Sequence, residues 1–155
     1  MLTYRKAAIA DLDALVQLRM DYLTEDRGLL PETEQAAVAA QLNEYFPKHI
    51  GDDFVAYLAE TDGSIAAAAF LVIAEKPANP AFITGKTGTL LNVLTYPPYR
   101  RQGIATELLK RLVAEARARG LSYIELSATE AGKPLYEKLG FAVKQSRYTE
   151  MKLQL

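Results

Sequence analysis

The chain has 155 residues, of which 50% are hydrophobic, so it can build one core and is expected to form a single domain over residues 1–155. Its 18 basic and 19 acidic residues nearly cancel, which excludes the strong global field of a nucleic-acid or anionic-membrane binder. With no cysteine and 1 histidine, a disulfide framework, a thiol nucleophile, a histidine triad and a thiolate or histidine metal site are excluded, so no metal is expected.

The N-terminal third predicts a strand followed by two helices. Residues 2–6 predict the strand, and Asp11 is placed as an N-cap before apolar residues at helical spacing. A second helical segment over residues 32–46 is expected to end at Pro47. Both helices carry acidic patches, which indicate either a solvated face or a lip that attracts a cationic substrate.

The middle of the chain predicts a β-hairpin and a long loop. Residues 54–60 and 65–73 read as strands around the turn signal Thr61-Asp62-Gly63-Ser64. The run Ala66–Ala69 favours a helix by propensity, but the turn and the β-branched residues after it favour a strand. Residues 75–88 are rich in proline and glycine and predict a loop.

The second half alternates strands and helices. Residues 89–96 predict a strand, and apolar residues at helical spacing predict a long amphipathic helix from Ile104 to Gly120. A strand over residues 122–128 and a short helix over residues 133–139 follow.

Residues 141–143 and 148–153 predict a closing hairpin. The predicted order is therefore β-α-α-β-β-β-α-β-α-β-β, an α+β fold. No apolar run is long enough to span a bilayer, and the N-terminus lacks the apolar core of a signal peptide. We therefore expect a cytoplasmic protein without a membrane or nucleic-acid partner.

The turn before the long helix has the properties of an anion site. A helix N-terminus offers unpaired backbone N–H groups and the positive end of a dipole. Gly103 removes a side chain where a ligand must come close, and Arg100 and Arg101 add positive charge. These properties fit either a phosphate site or an ordinary basic turn.

Two motifs resemble those of one family. The pattern Arg100-x-x-Gly103-x-Ala105 matches Gln/Arg-x-x-Gly-x-Gly/Ala, the cofactor signature of the GCN5-related N-acetyltransferases, or GNAT proteins. The segment Leu135-Tyr136-Glu137-Lys138-Leu139-Gly140-Phe141 matches the family's second hallmark, Leu-Tyr-Glu-x-x-Gly-Phe. Both occur in order, separated by one helix and one strand. The resemblance is close over residues 92–141 and general elsewhere.

The resemblance implies the GNAT fold, a mixed sheet of about six or seven strands flanked by about four helices. It implies transfer of the acetyl group of acetyl-CoA to a primary amine by direct attack in a ternary complex. Residues 11–50 would form the variable acceptor side. The loop at residues 75–88 would decide between a closed pocket for a small amine and an open groove for a peptide.

Two alternative functions and a possible homodimer are also consistent with the sequence. A protein or peptide N-acetyltransferase and a non-catalytic acyl-CoA sensor are the alternatives on the same fold. Homodimers are common in the family, and the β-rich C-terminus offers a surface for one.

The family's cofactor contacts map onto the second half of the chain. Backbone N–H groups would hold the pyrophosphate, and the end of the strand before them would pair with the pantetheine arm. Thr129 stands where many relatives carry asparagine. The implied cofactor-binding residues are Val93, Leu94, Thr95, Arg100, Arg101, Gln102, Gly103, Ile104, Ala105, Thr106, Thr129 and Lys133.

The implied catalytic residues are less complete. Tyr136 falls at the family's general-acid position, where a phenol would protonate the departing thiolate. Glu125 is the candidate general base, because some family members use a glutamate on the corresponding strand as their base. Proton transfer through water and a purely salt-bridged role for Glu125 remain alternatives. His49 is expected to be a surface or cap residue.

Overall fold

The computed structural model describes residues 1–155 and contains one five-stranded sheet in the order β1-β2-β3-β4-β5. The first four strands pair antiparallel, and β5 pairs parallel to β4. The strands are β1 (Thr3–Lys6), β2 (Phe54–Thr61), β3 (Ser64–Glu75), β4 (Lys86–Thr95) and β5 (Ile124–Glu125). The helices are α1 (Leu12–Arg27), α2 (Glu32–His49), α3 (Ile104–Ala118) and α4 (Lys133–Lys138).

Each face of the sheet buries a separate hydrophobic cluster. On one face, Leu15 and Leu18 of α1 and Phe46 of α2 pack against aromatic and aliphatic residues of the sheet. On the other face, the apolar stripe of α3 and the partly buried residues of α4 cover β2, β3 and β4. The predicted α+β class is confirmed. None of the helices is both long enough and apolar enough to cross a membrane.

The alanine run of β3 is a strand at the centre of both clusters. Residues Ala66 to Ala69 are each 0% exposed. Ala67 and Ala69 belong to the α3 cluster, whereas Ala68 belongs to the α1 and α2 cluster. Tertiary packing outweighs the helical propensity of alanine here, because the strand is paired on both edges and its small side chains let helices approach from both faces.

A β-bulge interrupts β4 close to its C-terminal end. Asn92 and Val93 of β4 oppose the single residue Ala69 of β3. Asn92 has a φ of 55°, a left-handed conformation that asparagine tolerates better than most residues. Its side chain is buried, and its Nδ2 donates to the carbonyl of Leu18 at 3.3 Å. The bulge is thereby fixed to α1.

Two sequence predictions about the sheet are wrong. The sheet has five strands, because residues 141–155 form no closing hairpin and no regular element. The strand predicted over residues 122–128 shrinks to Ile124–Glu125, which pairs only with Gly88 and Thr89. Beyond these pairs the chain diverges from β4, so the following residues have no strand beside them.

The end of the second helix and the location of the loop after β3 also differ from the sequence predictions. The second helix continues through Pro47 to His49, since a proline in the last turn removes only one hydrogen bond. The loop after β3 closes at the Glu75–Lys86 pair, nine positions along β4 from Thr95. It therefore lies at the opposite end of β4 from the cleft described below, and none of its residues lines that cleft.

We expect Gly88→Ala to destabilise the fold. A Cβ at this position would lie 2.8 Å from both Leu121 Cδ2 and Leu71 Cδ1, between β4 and the segment that leads into β5. Overpacking of this kind costs about 1–3 kcal/mol. Thr89→Ala, at the exposed neighbouring position, is the control and should cost less than about 1 kcal/mol. Urea unfolding measures both, and a Gly88→Ala protein as stable as the wild type would contradict the close packing.

Candidate active site

A cleft opens where β4 and the chain after β5 diverge. It is a cavity of about 740 Å³ whose walls come from α1, the end of β4, the turn before α3, and the segment leading into α4. The residues that line it are Tyr22, Glu25, Asp26, Val93, Leu94, Thr95, Arg100, Arg101, Ala105, Ser127, Thr129, Ala131, Gly132, Leu135 and Tyr136.

The N-terminus of α3 presents free backbone donors at this cleft. None of the N–H groups from Arg101 to Thr106 donates to a carbonyl or side chain of the protein. Gly103, the residue before the helix, has a φ of 76°, and Arg101 has a φ of 63°. These left-handed residues turn the chain sharply into the helix. The donors and the positive end of the helix dipole form an anion site.

Arg100 is a structural brace. Its Nε donates to the carbonyl of Thr95 at 2.9 Å, and its Nη2 lies 2.7 Å from Oε1 of Glu25. The side chain therefore ties the end of β4 and the following turn to α1. Because Glu25 offsets its charge, Arg101 is the exposed cation of the turn.

Two more contacts fix α1 against β4. Asn92 holds Leu18, as described above, and the hydroxyl of Tyr96 donates to Oδ2 of Asp21 at 2.5 Å. Burial, and then the Asp21 carboxylate, raise the pKa of Tyr96 far above its ordinary value, so this hydroxyl keeps its proton. With the Arg100 brace, α1 is attached to β4 at three points along the cleft.

Tyr136 lines the cleft from α4. Its ring packs edge-on against Phe141, with the centroids 5.9 Å apart. The hydroxyl makes no hydrogen bond within the protein. Burial raises the pKa of Tyr136 above its ordinary value, and Tyr22 across the cleft adds to the effect. The phenol is therefore in its protonated form at neutral pH.

Gly132 and Thr129 set the position of Tyr136. The Gly132 N–H donates to Oγ1 of Thr129 at 3.1 Å, which fixes the start of α4. A Cβ on Gly132 would lie 3.4 Å from the Tyr136 ring. This is an ordinary van der Waals distance, and the Thr129 hydroxyl is already engaged as an acceptor.

The family model of the Acetyltransferase (GNAT) family matches residues 12–141 of this chain. The chain belongs to the GNAT family.

Solved GNAT structures agree with this assignment. A predicted acetyltransferase from Clostridium acetobutylicum, solved with acetyl-CoA, is 33% identical, with 98% of this chain and 96% of that chain covered and a TM-score of 0.85. A GCN5-related N-acetyltransferase from Ralstonia eutropha is 25% identical, with 97% and 99% covered and a TM-score of 0.81.

A shorter match involves a GNAT protein with a named acceptor. The ribosomal protein bS18-alanine N-acetyltransferase of Escherichia coli is 41% identical over 56 residues. That match spans 34% of this chain and 38% of the relative, so the chain covers well under half of the relative's length.

The GNAT cofactor residues inferred from the sequence fall into two groups. The structure brings Val93, Leu94, Thr95, Arg100, Arg101, Ala105 and Thr129 into the cleft. Gln102, Gly103, Ile104 and Thr106 do not line the cavity with side chains, and only their backbone N–H groups face the anion site. Ile104 instead anchors α3 in the core at 2% exposure.

Glu125 and Lys133 lie elsewhere. Both line a second cavity of about 490 Å³ on the other side of Tyr136, between β5, α4 and residues 141–144. Oε2 of Glu125 is 2.8 Å from Nζ of Lys144, so the carboxylate is ion-paired outside the cleft. The structure therefore does not bring Glu125 to the predicted site. His49 is also outside it, with Nδ1 2.6 Å from Oδ1 of Asp53.

Sequence reasoning assigned residues 11–50 to the acceptor side and considered their acidic patches as a lip for a cationic substrate, but it did not single out the residues that line the cleft. Tyr22, Glu25 and Asp26 line it, whereas α2 does not. The acidic patch of the first helix was the available signal, but its orientation depends on how α1 packs on β4. No group of three or more histidine or acidic side chains is arranged to hold a metal ion.

Proposed function

We propose that this protein is an acetyl-CoA-dependent N-acetyltransferase that acts on a primary amine by direct transfer. The observation that carries the proposal is the shared cleft. One cavity is lined by the turn that opens α3, the bulged end of β4 and the protonated phenol of Tyr136. Membership of the GNAT family supports the same reaction.

The cleft fits the chemistry of acetyl-CoA. The free N–H groups from Arg101 to Thr106 suit a pyrophosphate, and the Arg101 side chain adds a cation beside them. The divergence of β4 from the following segment leaves the backbone of Val93–Thr95 at the cleft wall, where an extended amide chain can pair with it. Acetyl-CoA supplies the thioester from which the acetyl group is transferred.

Tyr136 acts as the general acid in this proposal. Its hydroxyl has no protein partner, lines the cleft and retains its proton because burial raises its pKa. A positioned acid of this kind contributes about 10²–10⁴-fold to the rate. The phenol would deliver its proton to the departing thiolate and recover one from solvent.

The amine would enter along α1. Glu25 and Asp26 line this wall, and Glu25 is already paired with Arg100. Asp26 has only a 3.9 Å contact with Arg27 and is therefore the less neutralised carboxylate facing an incoming ammonium. Because Glu125 is paired with Lys144 outside the cleft, we assign it no catalytic role, and the ammonium loses its proton to water.

A peptide N-terminus is the second candidate acceptor. The similarity to the ribosomal protein bS18-alanine N-acetyltransferase favours it, because that relative is named for an alanine on a protein. Its α-amine is a primary amine like that of a small acceptor. A small amine and a peptide N-terminus would differ only in how they bind the acceptor side, and acetyl-CoA would bind in the same way with either.

We expect Tyr136→Phe to lower turnover by about 10²-fold or more while leaving acetyl-CoA affinity nearly unchanged. The measurement is thiol release with a panel of amines and peptides, with calorimetry for binding. Tyr57→Phe, whose hydroxyl contacts Glu115 outside the cleft, is the matched control.

The pH dependence adds a second readout. Burial raises the pKa of the Tyr136 phenol above the ordinary tyrosine value, so the acid form persists to higher pH than in an exposed tyrosine. Any loss of wild-type rate caused by loss of this proton should therefore begin at a higher pH than an exposed tyrosine would give. Unchanged turnover in Tyr136→Phe would remove the acid role, and absence of thiol release with every acceptor would favour the acyl-CoA sensor.

We also infer that the protein forms a homodimer through its C-terminal tail, defined here as residues 145–155. Large apolar side chains in the tail are strongly exposed, with Tyr148 at 69%, Met151 at 90% and Leu153 at 82%. Met151, Leu153 and Leu155 alternate with polar residues, so an extended tail would carry one apolar face.

The second cavity offers a matching surface. It lies beside β5, which is an edge strand with no neighbour on its outer side. The Lys144–Glu125 ion pair holds the start of the tail there, and the remainder stays exposed. The tail of a second copy would cover this edge and pack behind Tyr136, which lines the same cavity.

Cysteine cross-linking tests this assembly, because the chain has no native cysteine. We expect a mixture of Ala128→Cys and Thr149→Cys proteins to form a disulfide-linked dimer on oxidation, since Ala128 lines the groove and Thr149 lies in the tail. Sedimentation should show a dimer for the wild type. A monomer in sedimentation, or a mixture that gives no disulfide between the two variants, would contradict this dimer.

A further inference from the structure

Arg19 is a half-buried cation near the cleft that has no acidic partner. It lies on α1 one turn before Tyr22, with its guanidinium carbon 5.9 Å from the centroid of the Tyr22 ring. Its one hydrogen bond runs from Nη1 to Oδ1 of Asn92 at 3.4 Å. None of the ion pairs of the chain includes it.

This arrangement leaves the Arg19 guanidinium without a salt bridge, and the Asp26 carboxylate acts on it only at longer range. A guanidinium is always ionised in proteins and has five N–H donors, of which one is used here, and at the long limit of a hydrogen bond. Burial lowers the pKa of the Arg19 guanidinium, which reflects the cost of its charge in this position. Buried charges are normally paired, so an unpaired arginine beside a cleft calls for a partner from outside the chain.

The remaining donors of Arg19 are reachable. No side-chain nitrogen or oxygen of the chain is both sealed from solvent and without a partner, so the free guanidinium donors face accessible space. The groups around Arg19 that reach the cleft lie on α1 and at the bulge of β4. Tyr22 and Asp26 line the cavity, and Asn92 directly precedes Val93 in its wall.

The position of Arg19 also separates it from the donor half of the site. The free N–H groups at the start of α3 lie past the end of β4, whereas Arg19 contacts the bulge at Asn92, three residues before that end. A phosphate held at α3 would therefore not neutralise Arg19. The partner must belong to the molecule that enters along α1.

We propose that Arg19 binds an anionic group of the acetyl acceptor, so that the acceptor carries a carboxylate or a phosphate together with its amine. A guanidinium matches either anion with paired N–H donors. Asp26 at the same wall would attract the ammonium of such a molecule. This inference rests on the proposed acetyltransferase function and narrows its acceptor to an anionic amine.

Matched pairs of amines test the inference by binding. The probes are L-alanine against L-alaninamide for a carboxylate, and phosphoethanolamine against ethanolamine for a phosphate. Calorimetry of the CoA-loaded protein should show at least one anionic member binding about tenfold more tightly than its neutral twin, the effect of one charged contact. The pair that shows the preference identifies the anion.

Two variants separate recognition from structure. Arg19→Gln should remove the preference while leaving the neutral amine unchanged, whereas Arg27→Gln, at an exposed arginine of the same helix, should keep it. In turnover, Arg19→Gln should raise KM for the anionic acceptor with kcat nearly constant. An equal loss for both members of a pair would instead indicate that Arg19 only supports the Asn92 bulge, and would overturn the inference.

The remaining outcomes are also decisive. Equal binding of charged and neutral members by the wild-type protein, or no binding of either anionic probe, overturns the role of Arg19. A preference that Arg19→Gln abolishes, in a protein that releases thiol with none of the amines and peptides of the panel, supports Arg19 as an anion site and rejects the proposed acetyltransferase function. The two proposals therefore fail separately.

Discussion

The divergence of two parallel chain segments is the constraint on which the rest of the structure depends. The segment at β5 pairs with β4 at only two positions and then leaves it. When two parallel strands separate, the backbone N–H and C=O groups between them lose their hydrogen-bond partners and need new ones. Here the divergence creates the cleft, and the bulge at Asn92 and Val93 redirects β4 at the same level. The unpaired backbone becomes the wall of a binding site.

The bulge in turn fixes the opposite wall. Asn92 has a left-handed backbone conformation, and its buried side-chain amide donates a hydrogen bond to the carbonyl of Leu18 in α1. The Tyr96–Asp21 and Arg100–Glu25 contacts extend the same attachment along the strand. The α1 wall of the cleft is therefore a helix held at three points by the end of β4 and the turn that follows it. In the proposed function this wall receives the acceptor, so a change in α1 is expected to alter acceptor choice without disturbing the anion site at α3.

Charge is distributed across the cleft in three zones. The start of α3 is electropositive and rich in free N–H donors, and Tyr136 at the centre is a neutral phenol that burial keeps protonated. The α1 wall carries Asp26, and the guanidinium of Arg19, which forms no salt bridge, lies beside Tyr22 of the same wall. In the two proposals, an amine with an anionic group complements the α1 zone and the pyrophosphate of acetyl-CoA complements the α3 zone.

Local signals predicted the donor half of the site, and long-range packing determined the rest. Gly103 and Tyr136 belong to short motifs with fixed spacing, so the elements around them could be placed from the sequence. Asn92 gave no comparable signal, because a bulge depends on pairing with β3. The contacts of Arg19 and Asp26 depend on how α1 rests on β4. The C-terminal strands failed because an alternating pattern predicts a strand without specifying which edge, or which copy of the chain, will pair with it.

Calorimetric titration of acetyl-CoA into matched glycine variants tests the central claim most directly. Gly103 and Gly63 have the same φ of 76° and open space around the missing Cβ, but only Gly103 lies at the start of α3. Valine at either position carries the same backbone strain of about 1–2 kcal/mol. The structure predicts that Gly103→Val loses acetyl-CoA binding while Gly63→Val retains wild-type affinity. Wild-type binding by a folded Gly103→Val protein would show that the α3 turn is not the cofactor site.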